Sequence, residues 1–246
     1  MSELAGKRAL VTGASRGIGA GIALALAEKG ADVAITYERS ADRAAEVVRA
    51  IENKGRRALA IQADSADAAA VKRSVGEAVE GLGGLDILVN NAGIARSGTV
   101  AEMRLADIDA LLNVNVRAAV LASQAAIPYL KQGGRIVSIG SNLAERVPFP
   151  GLTVYSLTKS ALLAFTRGLA RELGPQDITV NLVQPGATDT DMNPADGDHS
   201  DGLRAFTALG RYGNPEDVAA AVTFLVSPAA RQITGSVVTV DAGFNA

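Results

Sequence analysis

The sequence predicts a doubly wound α/β fold, with a seven-stranded parallel sheet covered by helices on both faces. Three observations predict it. Short β-branched or apolar runs alternate with longer Ala-rich stretches along the whole chain. The short runs are nearly continuously apolar, as suits strands covered on both sides. Glycines cluster where the first run gives way to the first helical pattern. With 246 residues, 48% of them hydrophobic, the chain is long enough to bury its own core and too apolar to be disordered.

The strand candidates are Arg8 to Thr12, Asp32 to Tyr37, Ala58 to Gln62, Leu85 to Asn90, Arg135 to Ile139, Thr179 to Val183 and Val237 to Val240. Between them the helical pattern covers Ile18 to Lys29, Ala41 to Asn53, Ala66 to Glu80, Leu105 to Leu130, Ser156 to Leu173 and Pro215 to Val226. Gly30, Gly55 and Gly174 fall just past three helix ends, where a left-handed cap is expected. Such alternation means βαβ units with right-handed crossovers. Residues 189 to about 211 are polar and rich in Gly, Pro and Asp, the composition of a loop or lid. No linker or short repeat divides the chain, so one domain over residues 1–246 is expected.

Composition removes several classes of function. Lys+Arg total 24 against Asp+Glu 26, a net charge of −2, which disfavours a protein held on nucleic acid or anionic lipid. With no Cys and one His, thiol nucleophiles, Cys or His metal clusters and Ser-His-Asp triads are excluded, and no metal is expected. No Trp and 4% aromatic residues leave little for base stacking. The first residues run straight into a strand without a signal-peptide pattern. No apolar run reaches bilayer-spanning length, so no membrane partner and a cytoplasmic location are expected.

Thr12-Gly13-Ala14-Ser15-Arg16-Gly17-Ile18-Gly19 lies between the first strand and the first helix. Glycines there let backbone turn tightly and approach a pyrophosphate, which rests on the unpaired N–H groups of the helix start. Gly13, Ser15, Arg16, Gly17, Ile18 and Gly19 are therefore candidate dinucleotide-binding residues. Tyr37 occupies the position at the end of strand two where an NAD site carries an acid. Tyr37, Arg39 and Ser40 then form the ribose end of the site. Arg16 and Arg39 would clamp a 2′-phosphate, predicting NADPH/NADP+ over NADH. Glu38 is the competing signal, since a one-residue slip would place it on the ribose.

Tyr155 and Lys159 stand four residues apart at the start of the fifth predicted helix, on one face. A tyrosine titrates near ~10 when unperturbed, and a fixed ammonium nearby draws that value down. The helix follows strand five, so its start lies at the sheet edge where such folds bind ligands.

With these motifs in order, the chain resembles the short-chain dehydrogenase/reductase family, a Rossmann fold. Thr12 to Gly19 matches that family's glycine turn, Asn90-Asn91-Ala92-Gly93 its motif after strand four, and Asn115 its helix-four asparagine. Ser141 precedes Tyr155 by 14 residues, one more than the family's usual spacing. Pro185-Gly186, with Thr188 and Thr190 beyond, matches the nicotinamide-side turn. The resemblance implies a hydride transfer between nicotinamide and a ketone or aldehyde. Tyr155 would be the proton donor, Lys159 would hold the ribose and depress the Tyr155 pKa, and Ser141 would hydrogen-bond the carbonyl. Asn115 would anchor a water reaching Lys159. Asp64 would meet the adenine, Asn91, Ala92 and Gly93 the adenine-side ribose and its surroundings, and Thr190 the carboxamide. Ser138 competes for the serine role but sits within the strand, whereas Ser141 is at its tip. His199 falls in the lid and reads as solvated.

Two alternatives stay open within the resemblance. Some members of the family bind cyclic di-GMP and mediate biofilm dispersal; Val183 to Asp191 and Asp241-Ala242-Gly243-Phe244 resemble theirs, and Arg-x-x-Asp occurs at Arg39/Asp42 and Arg104/Asp107. Another branch reduces 3-oxoacyl groups on acyl carrier protein. Asp189, Asp191, Asp196, Asp198 and Asp201 make the lid acidic, which argues against an acidic carrier and for a small neutral carbonyl substrate. The same aspartates also read as turn formers and caps. Leu143, Val147, Phe149, Pro150 and Leu152 would wall an apolar pocket or pack beneath the lid. Apolar residues nearly encircle Ser156 to Leu173, so a symmetry mate is expected to cover one side, and the family's usual assembly implies a homotetramer.

Overall fold

The computed structural model describes residues 2–246. Its strands are β1 (Arg8–Val11), β2 (Asp32–Tyr37), β3 (Ala58–Gln62), β4 (Ile87–Asn90), β5 (Arg135–Ile139), β6 (Thr179–Pro185) and β7 (Val237–Val240). The helices are α1 (Gly17–Glu28), α2 (Ala41–Glu52), α3 (Ala68–Leu82), α4 (Leu105–Leu112), α5 (Ala118–Ala126), α6 (Thr153–Leu173), α7 (Ser200–Phe206) and α8 (Pro215–Val226). All seven strands run parallel in the order β3-β2-β1-β4-β5-β6-β7. The order reverses between β1 and β4, which opens a crevice at their carboxyl ends.

Alternation along each strand builds two cores. Val11, Val33, Ile35, Val89 and Val137 face one way and pack with Ile22 and Leu26 of α1 and Val218, Val222 and Leu225 of α8. Leu10, Ala34, Leu88, Ile136 and Val180 face the other way, onto Val71 and Val75 of α3, Ala118 and Ala122 of α5 and Leu169 of α6. Neighbouring residues of one strand point to opposite faces, so a strand between two helical layers must be apolar at every position. At Gly21 an added Cβ would come within 2.9 Å of Pro215, which lets α1 lie against α8.

Several boundaries correct the expectations. α3 starts at Ala68, not Ala66, because the Asp67 side chain caps it by accepting from the Ala69 N–H at 2.8 Å. β4 begins at Ile87 rather than Leu85. The single helix expected over Leu105 to Leu130 is split by a π-helical turn, Asn113–Arg117, and ends in a 3₁₀ turn. Gly30 and Gly55 adopt positive φ, 99° and 74°. Gly174 does not: it stays helical at φ −52° and opens a further turn, and the left-handed residue is Asp177. The lid is not all loop, since it carries α7.

Among the described residues one helical path, Leu105–Tyr129, has the length and mean hydropathy (1.3 over its best window) of a membrane span. This corrects the expectation that no run does. Its Ala118, Ala119, Ala122 and Ala126 are buried against the rest of the chain, and buried Asn115 sits in its middle.

Candidate functional site

The glycine turn after β1 is built by close approach. Gly13 holds φ +63°, and a Cβ there would lie 2.8 Å from the Ala92 Cα. Gly17 holds φ +56°, and a Cβ on Gly19 would fall 2.7 Å from the Gly13 carbonyl oxygen. A Cβ at Gly13 or Gly19 would collide with the chain's own backbone, so the turn packs this tightly only as glycine. The Gly13 N–H donates to Thr36 Oγ1 at 2.9 Å. Asn91 Nδ2 donates to the carbonyls of Thr12 (2.8 Å) and Gly13 (3.0 Å). Thr12 Oγ1 accepts from the N–H groups of Asn91 and Ala92, both at 3.0 Å. Asn91 therefore spends both amide donors bracing the turn, which leaves its Oδ1 for the ribose contact expected of it.

The second cluster lies beyond β5. Ser141 follows the strand, is 7% exposed, and caps a short 3₁₀ turn by accepting from the Leu143 N–H. Ser138 is fully buried and 3.4 Å from Asn90 Nδ2, which leaves Ser141 as the serine at the edge. Tyr155, in the first turn of α6, is half-buried, and the Ser141 hydroxyl beside it favours its ionised form. Lys159, one turn on, is 5% exposed, and its Nζ donates to the Ile139 carbonyl at 3.1 Å. Gly93 closes over it, since a Cβ there would stand 3.3 Å from Nζ.

Burial pushes the Tyr155 hydroxyl above its ordinary value, against a smaller opposing effect of the Ser141 hydrogen bond. Burial also pulls Lys159 down to about 8. The expected depression of Tyr155 by Lys159 is thus corrected: the ammonium, 5.9 Å from the phenol ring centroid, is turned to the Ile139 carbonyl. The result is a neutral phenol able to give a proton, beside an amine that exchanges protons near neutral pH.

Asn115 sits in the π turn between α4 and α5 with 2% exposure. Its Oδ1 accepts from the Ile94 N–H (2.8 Å), and its Nδ2 donates to the Ile94 carbonyl and to Thr158 Oγ1, both at 3.0 Å. Thr158 in turn donates to the Tyr155 carbonyl at 2.7 Å. Both Asn115 amide donors and one lone pair of its Oδ1 are engaged by protein, so the water expected at Asn115 would rest on its remaining acceptors. Asn115 ties the Gly93–Ile94 loop after β4 to α6. Thr158 and Ile94 were missed by the sequence reading, and nothing in their types signals the role.

The ribose corner differs from expectation at one residue. Arg16 Nη1 lies 3.1 Å from Asp191 Oδ2, and Arg43 of α2 reaches the same oxygen. Together they hold the Asp191 carboxyl below its usual range, Arg43 most strongly. Arg39 is instead 87% exposed and pairs with Glu38 at 2.8 Å. Arg43, three residues into α2, was not singled out; the turn of that helix carries it back to the corner. Tyr37 is half-buried, packing on the core, and Ser40 precedes α2. Asp64 is exposed and accepts from the Ala66 N–H at 2.8 Å.

On the other side of the crevice, Pro185 ends β6 and the Gly186 N–H donates to the Val240 carbonyl. Thr188 bonds back to the Gly186 carbonyl, and Thr190 pairs with Asn193 across a tight turn, its methyl facing Gly17. The lid aspartates are largely engaged. Asp189 accepts from the Ala195 N–H, Asp191 holds the two arginines, and Asp201 pairs with Arg204 at 2.8 Å. The acidity expected of the lid is therefore partly cancelled, and the reading as turn formers is the better account of Asp189. His199 is exposed ahead of α7. Phe206 of α7 meets Phe149 edge-on at 5.2 Å and Phe244 at 5.4 Å, with Arg146 over both Phe206 and Phe244. Phe149 thus packs against the lid. Arg104 and Asp107 pair with each other at 2.8 Å.

Comparison with known proteins matches this geometry over the whole chain. A family model described as enoyl-(acyl carrier protein) reductase matches residues 13–245. The cyclic-di-GMP-binding biofilm dispersal mediator protein of Escherichia coli is 44% identical over all of both chains. Versicolorin reductase of Emericella nidulans is 41% identical, covering 98% of this chain and 96% of its own. A crystal structure of a short chain dehydrogenase from Burkholderia cenocepacia in complex with NADP is 61% identical, superposes with a TM-score of 0.98, and covers 99% of this chain and 100% of its own. On these grounds the chain belongs to the short-chain dehydrogenase/reductase family of oxidoreductases.

Proposed function

We propose that the protein is an NADP(H)-dependent carbonyl reductase, working reversibly as an alcohol dehydrogenase on a small neutral ketone or aldehyde. One observation carries this reading: Ser141, Tyr155 and buried Lys159 converge beyond the carboxyl end of β5. A protein that only bound a ligand has no need of that set. The glycine turn fits a dinucleotide, because it packs tightly at the start of α1, where the helix N–H groups can receive a pyrophosphate. Two guanidiniums meeting at one oxygen fit a 2′-phosphate, so Arg16 and Arg43 take the role first assigned to Arg16 and Arg39. The Burkholderia relative was crystallised with NADP.

When bound, the nicotinamide supplies or accepts the hydride at the carbonyl carbon. Everything else falls to the chain. Ser141 holds the carbonyl oxygen at the Tyr155 hydroxyl, and Tyr155 gives that oxygen its proton, which its raised pKa keeps available. Lys159 would hold the nicotinamide-side ribose, and the proton that Tyr155 gives up returns from solvent. Asn115 fixes the distance between Gly93 and α6. Thr188 and Thr190 close the nicotinamide side.

The test uses purified protein, a panel of ketones, aldehydes and 3-oxoacyl thioesters, and calorimetry. NADPH oxidation with a neutral carbonyl is expected, and Tyr155→Phe is expected to lose about 10²-fold or more in turnover while still binding NADPH. Full turnover in Tyr155→Phe removes the proposed acid, and equal efficiency with NADH removes the cofactor preference. The rival drawn from the Escherichia coli relative predicts tight cyclic di-GMP binding with no carbonyl reduction.

A further inference from the structure

Asp191 stands at the tip of the Thr190–Asn193 turn, in the first part of the lid, yet its carboxylate reaches out to Arg16 and Arg43. These two arginines come from separate elements, the glycine turn and α2, and both end on the same carboxylate oxygen. The concavity beside them, about 520 Å³, is lined by Ser15, Arg16, Leu24, Arg43, Glu46 and Val47. All three charged side chains are about half exposed, so the contact is open to exchange with a ligand arriving from solvent.

We propose that Asp191 is a specificity-determining residue that stands in for the cofactor's 2′-phosphate, so that a 2′-phosphate displaces it and uncouples the lid from the cofactor corner. The proposal rests on the NADP(H) reading above. Its argument is charge and geometry. One carboxylate carries a single negative charge against two guanidiniums. A phosphate monoester carries about −1.5 to −2 and three acceptor oxygens, enough to face both forks at once. The phosphate is therefore the better partner, and the carboxylate is the weaker competitor it evicts. A cofactor that ends in a 2′-hydroxyl has nothing to offer the arginines and leaves Asp191 in place. The lid's other ties differ in kind. Asp189 is held by a backbone N–H, and Phe206 by two aromatic rings. Loss of the Asp191 contact frees the Thr190–Asn193 turn at the cofactor end, while Ala195, held by Asp189 and Arg204, and the far end stay packed.

Binding equilibria and hydrogen exchange test this on the whole protein. Asp191→Asn is expected to tighten NADPH and 2′,5′-ADP by about three- to tenfold, the range two exposed ion pairs allow, and to leave NADH unchanged. Asp201→Asn removes the same charge from the lid but pairs only with Arg204, and is expected to alter neither affinity. In the unmodified chain 2′,5′-ADP is expected to speed amide exchange across residues 190–193, whereas 5′-AMP does not. In Asp191→Asn that stretch exchanges fast already and is insensitive to the ligand. If 2′,5′-ADP binds but Asp191→Asn binds it equally or more weakly, or lid exchange is unmoved, the proposal falls and the cofactor reading stands. If neither NADPH nor 2′,5′-ADP binds better than its unphosphorylated counterpart, both fall together.

Discussion

Lys159 shows how one residue sets stability against chemistry. A buried ammonium is disfavoured, and its titration moves from 10.5 to about 8. Between these values the unfolded chain holds a proton that the folded chain has lost, so stability rises with pH across that window. Below pH 8 the charge is buried in full, a difference worth ~3 kcal/mol against the folded state. Lys159→Met keeps the volume and removes the charge. It is expected to melt higher than the unmodified protein at pH 7, by about 2–4 °C for each kcal/mol gained, with the advantage shrinking toward pH 10.5. Lost contact with the Ile139 carbonyl subtracts from the gain. Thermal melts at pH 7 and pH 10 decide it: an unmodified protein that is more stable than Lys159→Met at pH 7 means that the buried amine is not a burden. The Tyr155–Lys159 spacing was legible because a helix puts residues four apart on one face. The direction of the Tyr155 shift was not, because it depends on where the ammonium points. The same limit hid Arg43: sequence distance favoured Arg39 at the strand end, but Arg39 turns to its neighbour Glu38 while the first turn of α2 brings Arg43 round.

Elements carry constraints that their residue types do not announce. The path from Leu105 to Tyr129 reads as one apolar helix, and the π turn inside it has no proline or glycine to mark it. Such turns often accompany functional sites, because the extra residue re-aims a side chain. Here Asn115 is the residue re-aimed, and its three hydrogen bonds pin Ile94 and Thr158. Asn115→Ala leaves the half-buried Ile94 N–H and carbonyl without their partner, at a cost of about 1–1.5 kcal/mol for each orphaned group. A fall of roughly 5–10 °C in the melting temperature is expected. Thr158→Val, which loses one of the three bonds, is expected to fall less. An Asn115→Ala variant that melts with the unmodified protein would show that the π turn is not braced by this side chain. The lid helix was equally hard to read, for another reason. Ser200–Phe206 has no apolar stripe of its own, and it is held by Arg204 on Ser200, Asp201 and Ala195 and by Phe206 among the aromatic rings.

At the scale of the whole molecule, the parallel sheet was the most legible feature, since strands buried on both faces must be apolar throughout and only a βαβ path joins them in parallel. The strand order β3-β2-β1-β4-β5-β6-β7 came from the structure. That order fixes where the glycine turn, Ser141 and the Pro185–Gly186 corner meet: all follow strand ends on one edge of the sheet. The opposite consequence concerns what remains uncovered. α4 and α6 pack side by side, yet Leu105 is 71% exposed, Leu157 is 55% exposed, and Leu112 is exposed too. β7 is an edge strand with an open side. Exposed leucines on paired helices and a free strand edge are what a symmetric assembly would bury, and an edge left bare invites uncontrolled pairing. The homotetramer proposed from the family resemblance would use both surfaces. Light scattering at micromolar concentration is therefore expected to give the mass of four chains, and Leu157→Asp is expected to lower it by breaking the helix-paired contact while leaving the β7 contact able to hold two. A single-chain mass for the unmodified protein ends this proposal. A tetramer undisturbed by Leu157→Asp moves the contact elsewhere on the surface.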